Sequence, residues 1–212
     1  MIIEVASEEV ELLPEKAAFW RTPQILLVAD LHLGKAAAFR AAGIPIPEGD
    51  MQRDLERLSN LILKKEAKRC IVIGDFVHHS TGMGSETMQT IEKWLQSLPC
   101  PLDLVLGNHD RALKKVPHEE WKMAIHPLEL FLKPFLFSHH PTNSSKGYVW
   151  SGHIHPQASV KIGNNFFRYP CFYLQEKGAI LPAFSSFAGG CTVDPRQGKS
   201  YACLGGKVVA VN

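Results

Sequence analysis

Five short polar blocks of the sequence carry residue types that bind metal ions. The blocks are Asp30-Leu-His32, Gly74-Asp75, Gly107-Asn108-His109-Asp110, Ser138-His139-His140 and Gly152-His153-Ile-His155. Carboxylates, an amide oxygen and neutral imidazoles suit Mn, Fe, Zn, Co or Ni better than Ca, which prefers oxygen ligands alone. The blocks hold more candidate ligands than one ion needs. We therefore expect two divalent ions that share an Asp, with Mn as the expected metal.

The position of the blocks predicts that they converge. Each block follows an apolar run, and in an open α/β sheet sites form beyond the carboxyl ends of the strands. In Asp-x-His and His-x-His, residues i and i+2 lie on the same side of an extended chain. A single block is ordinary as a turn or a helix cap. The complete set of five predicts a metal site.

Such a site favours phosphoester hydrolysis. Two ions roughly 3.5–4 Å apart can polarise phosphoryl oxygens and lower the pKa of a bound water. The leaving oxygen then needs a proton, which a nearby histidine can supply.

The apolar pattern of the first half predicts strands that alternate with helices. We expect strands at Gln24–Ala29, Cys70–Ile73 and Leu102–Leu106, and helices over Gly34–Ala42, from Asp50 to near Lys68, and over Ser85–Leu98. Such alternation is typical of parallel strands with right-handed crossovers. The N-terminal runs IIEV and VELL predict two more strands, as a hairpin.

The second half carries short apolar runs separated by Pro, Gly and Asn, which predict mostly antiparallel strands. Together the halves predict an α/β fold with two sheets packed face to face and helices outside. With 212 residues and no internal repeat or linker, we expect a single domain over residues 1–212.

Composition excludes few functions. The net charge of +2 neither requires nor excludes a nucleic-acid partner. The five cysteines form no CxxC pair, which argues against a cysteine metal site and favours a reduced setting. The sequence has no signal-peptide pattern and no apolar run near ~20 residues, so we expect a cytoplasmic protein without a membrane span.

In their order, the five blocks resemble the calcineurin-like metallophosphoesterase family, whose pattern runs D-x-H, G-D, G-N-H-D/E, a lone H and G-H-x-H. The resemblance implies a four-layer α-β-β-α sandwich with two mixed sheets flanked by helices. It also implies roles for the residues of the blocks: Asp30, His32 and His155 hold one metal, Asn108, His139 and His153 hold the other, Asp75 bridges both, His109 acts in catalysis, and Asp110 orients the His109 imidazole.

A narrower resemblance covers most of the chain. Segments similar to the bacterial ligase-associated DNA-damage-response phosphoesterases (the PdeM type) include ADLHLGKAAAFRAAGIPIPEG, GDFVHH, GNHDR, GYVWSGHIHP, RYPCFYL and LPAFSSFAGG. This resemblance implies an endonuclease-like enzyme of DNA repair, with DNA ligase and helicase partners. One departure is His140, which stands where an acidic residue is expected. His140 would alter the charge of the pocket or serve as a further proton donor.

Several residues near the blocks are candidates for substrate binding. Lys35, Arg40 and Arg111 could bind a phosphate through charge-assisted hydrogen bonds, and His140 joins them. For Lys35 and Arg40, a place on a surface helix is an equal alternative. His78 and His79 could support the site by contacting the ligands rather than the metal, or they could be ordinary hydrogen-bonded histidines. Aromatic residues such as Phe39 could stack on bases, or lie in the core or a subunit interface, so an oligomer is possible.

The main hypothesis is a two-metal phosphodiesterase, which the resemblance extends to a DNA endonuclease. A small-molecule phosphatase or a cyclic-nucleotide phosphodiesterase would share every catalytic residue. A non-catalytic scaffold should lack ligands, whereas here every ligand position holds a competent residue. A protein phosphatase is disfavoured, because the second block reads Gly-Asp-Phe-Val-His rather than Gly-Asp-x-x-Asp-Arg-Gly.

Overall fold

The first of two β-sheets carries the N-terminal half of the protein. The structure, a computed structural model, describes residues 1–115, 118 and 121–211. Seven strands follow one another across this sheet: Ile2–Val5 (β1), Glu8–Leu13 (β2), Ala17–Trp20 (β3), Ile25–Val28 (β4), Arg69–Ile73 (β5), Leu102–Val105 (β6) and Met123–His126 (β7). Strands β1 to β4 pair antiparallel, whereas β4 to β7 are parallel. The sheet is therefore mixed.

The second sheet contains nine strands from the C-terminal half. They are Glu129–Leu132 (β8), Phe135–Ser138 (β9), Tyr148–Ser151 (β10), Pro156–Ile162 (β11), Asn165–Leu174 (β12), Gly178–Ile180 (β13), Cys191–Thr192 (β14), Lys199–Leu204 (β15) and Lys207–Val211 (β16). The order across the sheet is β14-β11-β12-β13-β10-β9-β8, with β15 paired to β12 and β16 paired to β15. Strands β9, β10 and β13 are parallel, so β9 and β10 end at the same edge.

The helices lie mainly against the first sheet. They are Lys35–Ala41 (α1), Asp50–Lys64 (α2) and Ser85–Ser97 (α3), with 3₁₀ turns at Ser80–Gly82 and His109–Lys115. The buried residues of α2 and α3 share one core cluster with alternate residues of the first sheet, such as Leu26 and Val72. The remaining residues of these strands, such as Leu27 and Ile71, pack with Phe137 and Trp150 in a cluster between the two sheets. Burial on both faces explains why the central strands are continuously apolar.

The outer face of the second sheet carries a smaller apolar cluster. Cys171 and Ala202 belong to it, whereas their neighbours Phe172 and Tyr201 point into the cluster between the sheets. Successive side chains of a strand point to opposite faces of its sheet, so this small cluster lies on the outer face of the second sheet. Its described members come from strands and from Val193. The predicted fold of two mixed sheets flanked by helices is confirmed, and the helices are few.

Three features differ from the sequence prediction. Helix α2 ends at Lys64 rather than near Lys68, and Glu66 has a φ of 49°, which ends the helical path. The sequence pattern does not predict strand β3. The apolar runs Phe166–Arg168 and Phe172–Leu174 predict two short strands on either side of Pro170, but they belong to one strand, β12. Pro170 is the last residue paired with β11, and pairing with β15 begins at Cys171, so the strand passes a proline where its partner changes.

None of the helices in the described part of the chain is both long and apolar enough to cross a membrane.

Candidate metal centre

The structure brings all seven predicted metal ligands to one edge of the molecule. They occupy the loops that follow five strands: Asp30 and His32 after β4, Asp75 after β5, Asn108 after β6, His139 after β9, and His153 and His155 after β10. Both sheets contribute, and in each sheet the contributing strands are parallel neighbours. The convergence that the spacing predicts is therefore a property of this fold.

The first triad consists of Asp30, His32 and His155. The Nε2 atoms of His32 and His155 lie 3.2 Å apart, and His155 Nε2 lies 3.6 Å from Asp30 Oδ1. One ligand atom from each of the three lies within 4.8 Å of the others. This spacing could hold one metal ion.

The second triad consists of Asn108, His139 and His153. His139 Nε2 lies 3.0 Å from Asn108 Oδ1 and 3.1 Å from His153 Nδ1. His140, predicted as a substrate-binding residue, is exposed beside this triad, and its ring centroid is 4.2 Å from that of His153. His139, His140 and His153 also form a group with metal-ligand spacing.

Asp75 lies between the two triads. Its Oδ2 atom is 4.0 Å from His32 Nε2 in the first triad and 3.5 Å from His139 Nε2 in the second. The side chain is 2% exposed, and its Oδ1 atom accepts a hydrogen bond from the backbone N–H of His109 at 2.8 Å. A carboxylate in this place can contact ions on both sides.

The donor set fits a bound cation. Hydrogen-bond partners assign the histidine tautomers. Nδ1 of His155 donates to the Gly189 carbonyl at 3.0 Å, and Nδ1 of His139 donates to the Ile73 carbonyl at 3.3 Å. Each Nε2 then carries a lone pair that faces a carboxylate oxygen, Asp30 Oδ1 or Asp75 Oδ2. Acceptors that face acceptors at 3.5–3.6 Å are the arrangement that a divalent ion satisfies.

Electrostatics keep two imidazoles of the cluster neutral. Burial, with the neighbouring His155 and Lys35, lowers the pKa of His32 to about 2. Burial and then His139 and His140 lower the pKa of His153. For His155, burial acts to lower the pKa, but the nearby Asp30 carboxylate outweighs burial and raises the pKa. Neutral His32 and His153 are in the protonation state that binds metal.

The backbone at the candidate ligands is unusual. Asp30, His32, Asp75, His153 and His155 all have positive φ angles, between 48° and 73°. Non-glycine residues rarely adopt this left-handed region, which costs roughly 1–3 kcal/mol at each position. The surrounding hydrogen bonds must therefore hold these loops in place. Strain of this kind at five ligands is expected at a site that is formed in advance of binding.

Two glycines of the blocks make room for ligands of other blocks. A side chain at Gly152 would place its Cβ 2.6 Å from Asp30 Oδ2, and a side chain at Gly74 would collide with the His139 ring. Any larger residue at either position would displace a candidate ligand.

The prediction that Asp110 orients the His109 imidazole is wrong. His109 Nδ1 lies 2.8 Å from the His78 carbonyl, to which it donates. The Asp110 carboxylate is buried and accepts instead from the backbone N–H groups of Val77, at 3.0 Å, and Gly107, at 2.8 Å. Burial raises the pKa of Asp110 to about 7 although these hydrogen bonds oppose the shift. Asp110 thus fastens the loops after β5 and β6 to each other.

His109 lies beside the first triad. Its ring stacks on His78, with centroids 4.8 Å apart and an interplanar angle of 19°, and meets His32 at 5.1 Å. Nδ1 donates to the His78 carbonyl, and Nε2 has no hydrogen-bond partner among the described residues, so it can face a substrate.

The predicted substrate-binding cations occupy different settings. Lys35 is half-buried at the start of α1, and its charge acts on His32 and His155. Arg111 is exposed on the 3₁₀ turn that follows Asn108. Arg40 instead contacts the loop between α1 and α2. Its Nη1 atom lies 3.4 Å from the carbonyls of Ile46 and Pro47, so no described contact joins Arg40 to the cluster.

The segment Leu181–Cys191 supports the site. The sequence predicts the stretch Pro182–Gly198 only as a surface loop near the site or at an interface. The backbone N–H groups of Phe184 and Ser185 donate to the carbonyls of Ala29 and Asp30 at 2.8 Å and 3.2 Å. Further along, the Gly189 carbonyl accepts from His155. This segment therefore holds two members of the first triad. The signal was the LPAFSSFAGG stretch, but residue types alone do not reveal contacts made by backbone groups.

Helix α2 anchors this segment through a buried carboxylate. Asp54 is 5% exposed and accepts from the Ser186 N–H at 2.8 Å and the Ser186 hydroxyl at 3.2 Å. Arg57 lies 3.0 Å from the other oxygen of Asp54 and donates to the Phe184 carbonyl. A sequence signal did exist, since Asp54 interrupts the apolar stripe of the helix.

Asp54→Asn should destabilise the protein by about 2–3 kcal/mol, because the amide loses the charged hydrogen bonds to Ser186 and leaves Arg57 without its anion. Urea unfolding measures the effect. Glu56→Gln is the matched control, since Glu56 is exposed on the same helix, and should change the stability by less than about 0.5 kcal/mol. Equal stability of the two variants would contradict the anchoring role.

Two sheets whose strand ends meet in a cluster of Asp, Asn and His define a metal-dependent hydrolase. The sequence model of the calcineurin-like phosphoesterase family matches residues 23–165, and the chain belongs to that family. It is accordingly a metal-dependent phosphoester hydrolase, as the five blocks predict.

The chain is similar to a solved structure over its whole length. The crystal structure of the nuclease MPE of Pseudomonas putida has a TM-score of 0.85 and 30% identity, and the alignment covers 100% of this chain and 99% of that one. The phosphoesterase Yfce of E. coli has a TM-score of 0.45 and 13% identity, over 89% of this chain and 99% of that one. A protein of unknown function from Aquifex aeolicus, AQ665, has a TM-score of 0.44 and 18% identity, over 62% and 78%. No curated protein is similar enough in sequence to count as a match.

Proposed function

We propose that the protein is a two-metal phosphodiesterase that cleaves DNA. The observation that carries the proposal is the position of the Asp75 carboxylate, within 4.0 Å of imidazole nitrogens from both triads. Similarity over the whole chain to a bacterial nuclease supports DNA as the substrate. It also agrees with the narrower resemblance of the sequence.

In this proposal the first triad of Asp30, His32 and His155 would hold one ion. The second triad of Asn108, His139 and His153 would hold the other, and Asp75 would be a ligand shared by both. When bound, the two ions supply an activated water and neutralise charge on the phosphoryl oxygens. Mn is the proposed metal, within the group of Mn, Fe, Zn, Co and Ni that a mixture of nitrogen and oxygen ligands suits.

The other residues of the site bind the substrate and protonate its leaving oxygen. The protonated Nε2 atom of His109 gives a proton to the leaving oxygen, while the His78 carbonyl holds the ring by its Nδ1–H. Lys35 binds a non-bridging phosphate oxygen. Among the described residues no carboxylate oxygen lies within 4.0 Å of its ammonium group, which leaves the charge available to an anion. Arg111 and His140, both exposed beside the cluster, contact the flanking phosphates of a polymer.

Hydrolysis of bis-p-nitrophenyl phosphate tests the reaction class. Protein stripped with EDTA should hydrolyse it at least about 100-fold more slowly than protein supplied with Mn, since the ions provide the nucleophile. The diester should react faster than p-nitrophenyl phosphate. Single-stranded and duplex DNA then test the natural substrate.

Three other results would each change the assignment. Faster hydrolysis of the monoester than of the diester would favour a small-molecule phosphatase. Diester activity without DNA cleavage would favour a cyclic-nucleotide phosphodiesterase, and no turnover with any metal would favour a scaffold. Functional links to a DNA ligase and a helicase stay predictions from the resemblance. Oligomerisation, a cytoplasmic location and one domain over residues 1–212 also stay predictions.

A further inference from the structure

Two aromatic side chains from separate elements meet beside the candidate metal centre. Phe39 belongs to α1 and Phe187 to the segment Leu181–Cys191, and their ring centroids are 5.6 Å apart in an edge-to-face arrangement. Both are only half-buried, whereas Phe76, Phe135 and Phe184 of the core are fully buried. The pair therefore leaves ring surface open to a ligand.

These two rings belong to a row of aromatic side chains that begins at His109. The His109 ring stacks on His78, and the His78 ring lies 6.3 Å from Phe39 with a tilt of 31°. Phe187 is the next ring, in contact with Phe39. The row of rings therefore connects the candidate metal centre with the half-buried pair of Phe39 and Phe187.

A cation accompanies the rings. The Lys35 ammonium lies over the Phe187 ring, 5.4 Å from its centroid. An ammonium group beside two accessible aromatic rings complements a nucleotide, whose phosphate takes the charge and whose base takes the stacking surface.

The backbone that carries the Phe187 ring is held in place. The Phe187 N–H donates to the Ser185 hydroxyl at 3.2 Å, and the N–H of the preceding residue, Ser186, donates to Asp54. A fixed backbone loses little conformational freedom when a ligand binds to its side chain.

We propose that Lys35, Phe39 and Phe187 form a subsite for the nucleoside next to the scissile phosphate. The subsite gives the enzyme a preference for nucleotide diesters over simple diesters. The inference rests on the proposed function, because the scissile phosphate is placed at the metal cluster.

Two esters with the same leaving group test the subsite. Thymidine 5′-(p-nitrophenyl) phosphate carries a nucleoside, and methyl p-nitrophenyl phosphate does not. In Phe187→Ala and Phe39→Ala, the ratio of kcat/KM for the thymidine ester to that for the methyl ester should fall about 5- to 150-fold, which is the effect of losing one base–aromatic stack. Phe187→Tyr should keep the ratio.

Phe166→Ala is the matched control. Phe166 is 70% exposed near the tip of the β11–β12 hairpin, roughly 20 Å along the strand from His155, so a mononucleoside ester bound at the cluster cannot reach it. The ratio of kcat/KM for the two esters in Phe166→Ala should equal that of the wild type. An equal loss for both esters in Phe187→Ala would overturn the proposal, because the ring would then act only in structure.

A binding measurement distinguishes failure of the proposed subsite from failure of the proposed function. If the wild type hydrolyses neither ester, the proposed function fails, and calorimetry with thymidine 5′-monophosphate and inorganic phosphate decides the subsite. Tighter binding of the nucleotide than of phosphate, reduced about 5-fold or more by Phe187→Ala, would sustain it. Equal binding of the two anions would overturn it.

Discussion

Asp75→Asn should remove Mn from both triads and abolish metal-dependent hydrolysis. The Asp75 carboxylate is buried between His32 and His139. An amide would offer one oxygen and turn an NH₂ group toward the ions. Loss of a residue that only supports a ligand lowers metal affinity roughly 10- to 100-fold, so loss of a shared ligand should exceed roughly 100-fold. Calorimetric titration with Mn gives the affinity and the number of ions bound.

The control for this variant is Asp50→Asn, at the first position of α2 and outside the cluster. It should bind two ions with the affinity of the wild type. Normal Mn content in Asp75→Asn would disprove the shared ligand. Loss of one ion with retention of the other would instead assign Asp75 to a single triad.

His109→Ala should leave Mn bound and slow turnover by about 100- to 10,000-fold, the range for loss of an acid or base. The backbone N–H that binds Asp75 persists in the variant, so the metal ligands keep their support. The loss should be larger for methyl phenyl phosphate than for methyl p-nitrophenyl phosphate, because phenolate is the poorer leaving group and depends more on a proton. Steady-state kinetics with both esters, alongside calorimetry with Mn, measures these effects.

His79→Ala is the matched control, since His79 is exposed and its ring contacts Thr81 rather than the cluster. It should retain the rate of the wild type. Equal losses for the two leaving groups in His109→Ala would exclude His109 as the proton donor. Loss of Mn in that variant would make it a structural residue instead.

The sequence predicts this site well because its ligands are side chains at strand ends. A ligand such as Asp30 is visible as a polar residue after an apolar run, and the parallel order of β4, β5 and β6 makes convergence unavoidable. Apart from β3, the same reasoning predicts the strands and helices of the first half to within a few residues. Buried parallel strands and amphipathic helices produce the strongest periodic patterns.

The features that the sequence does not predict are those that depend on backbone groups. The partner of His109 is the His78 carbonyl, and the partner of His155 is the Gly189 carbonyl. Every residue has a backbone carbonyl, so no sequence motif indicates which carbonyl will accept a hydrogen bond. The family resemblance implies that Asp110 orients His109, but the Asp110 oxygens accept hydrogen bonds from backbone N–H groups of two loops.

Local propensity also fails where tertiary pairing decides. Strand β3 reads Ala-Ala-Phe-Trp, and alanine is a weak strand former. It is nevertheless a strand, because it is hydrogen-bonded on both sides, to β2 and to β4. Such pairing involves partners that single-sequence patterns do not contain.

The contacts of Phe184 and Ser185 with the end of β4 have a consequence for the order of folding. They join the first third of the chain to a segment near the opposite terminus, so the cluster is complete only after both sheets have docked. Contacts this distant in sequence close late and slow the folding reaction. Ions held by the cluster would bind the finished fold and not its precursors. They would therefore stabilise the folded state by mass action rather than act as a nucleus for folding.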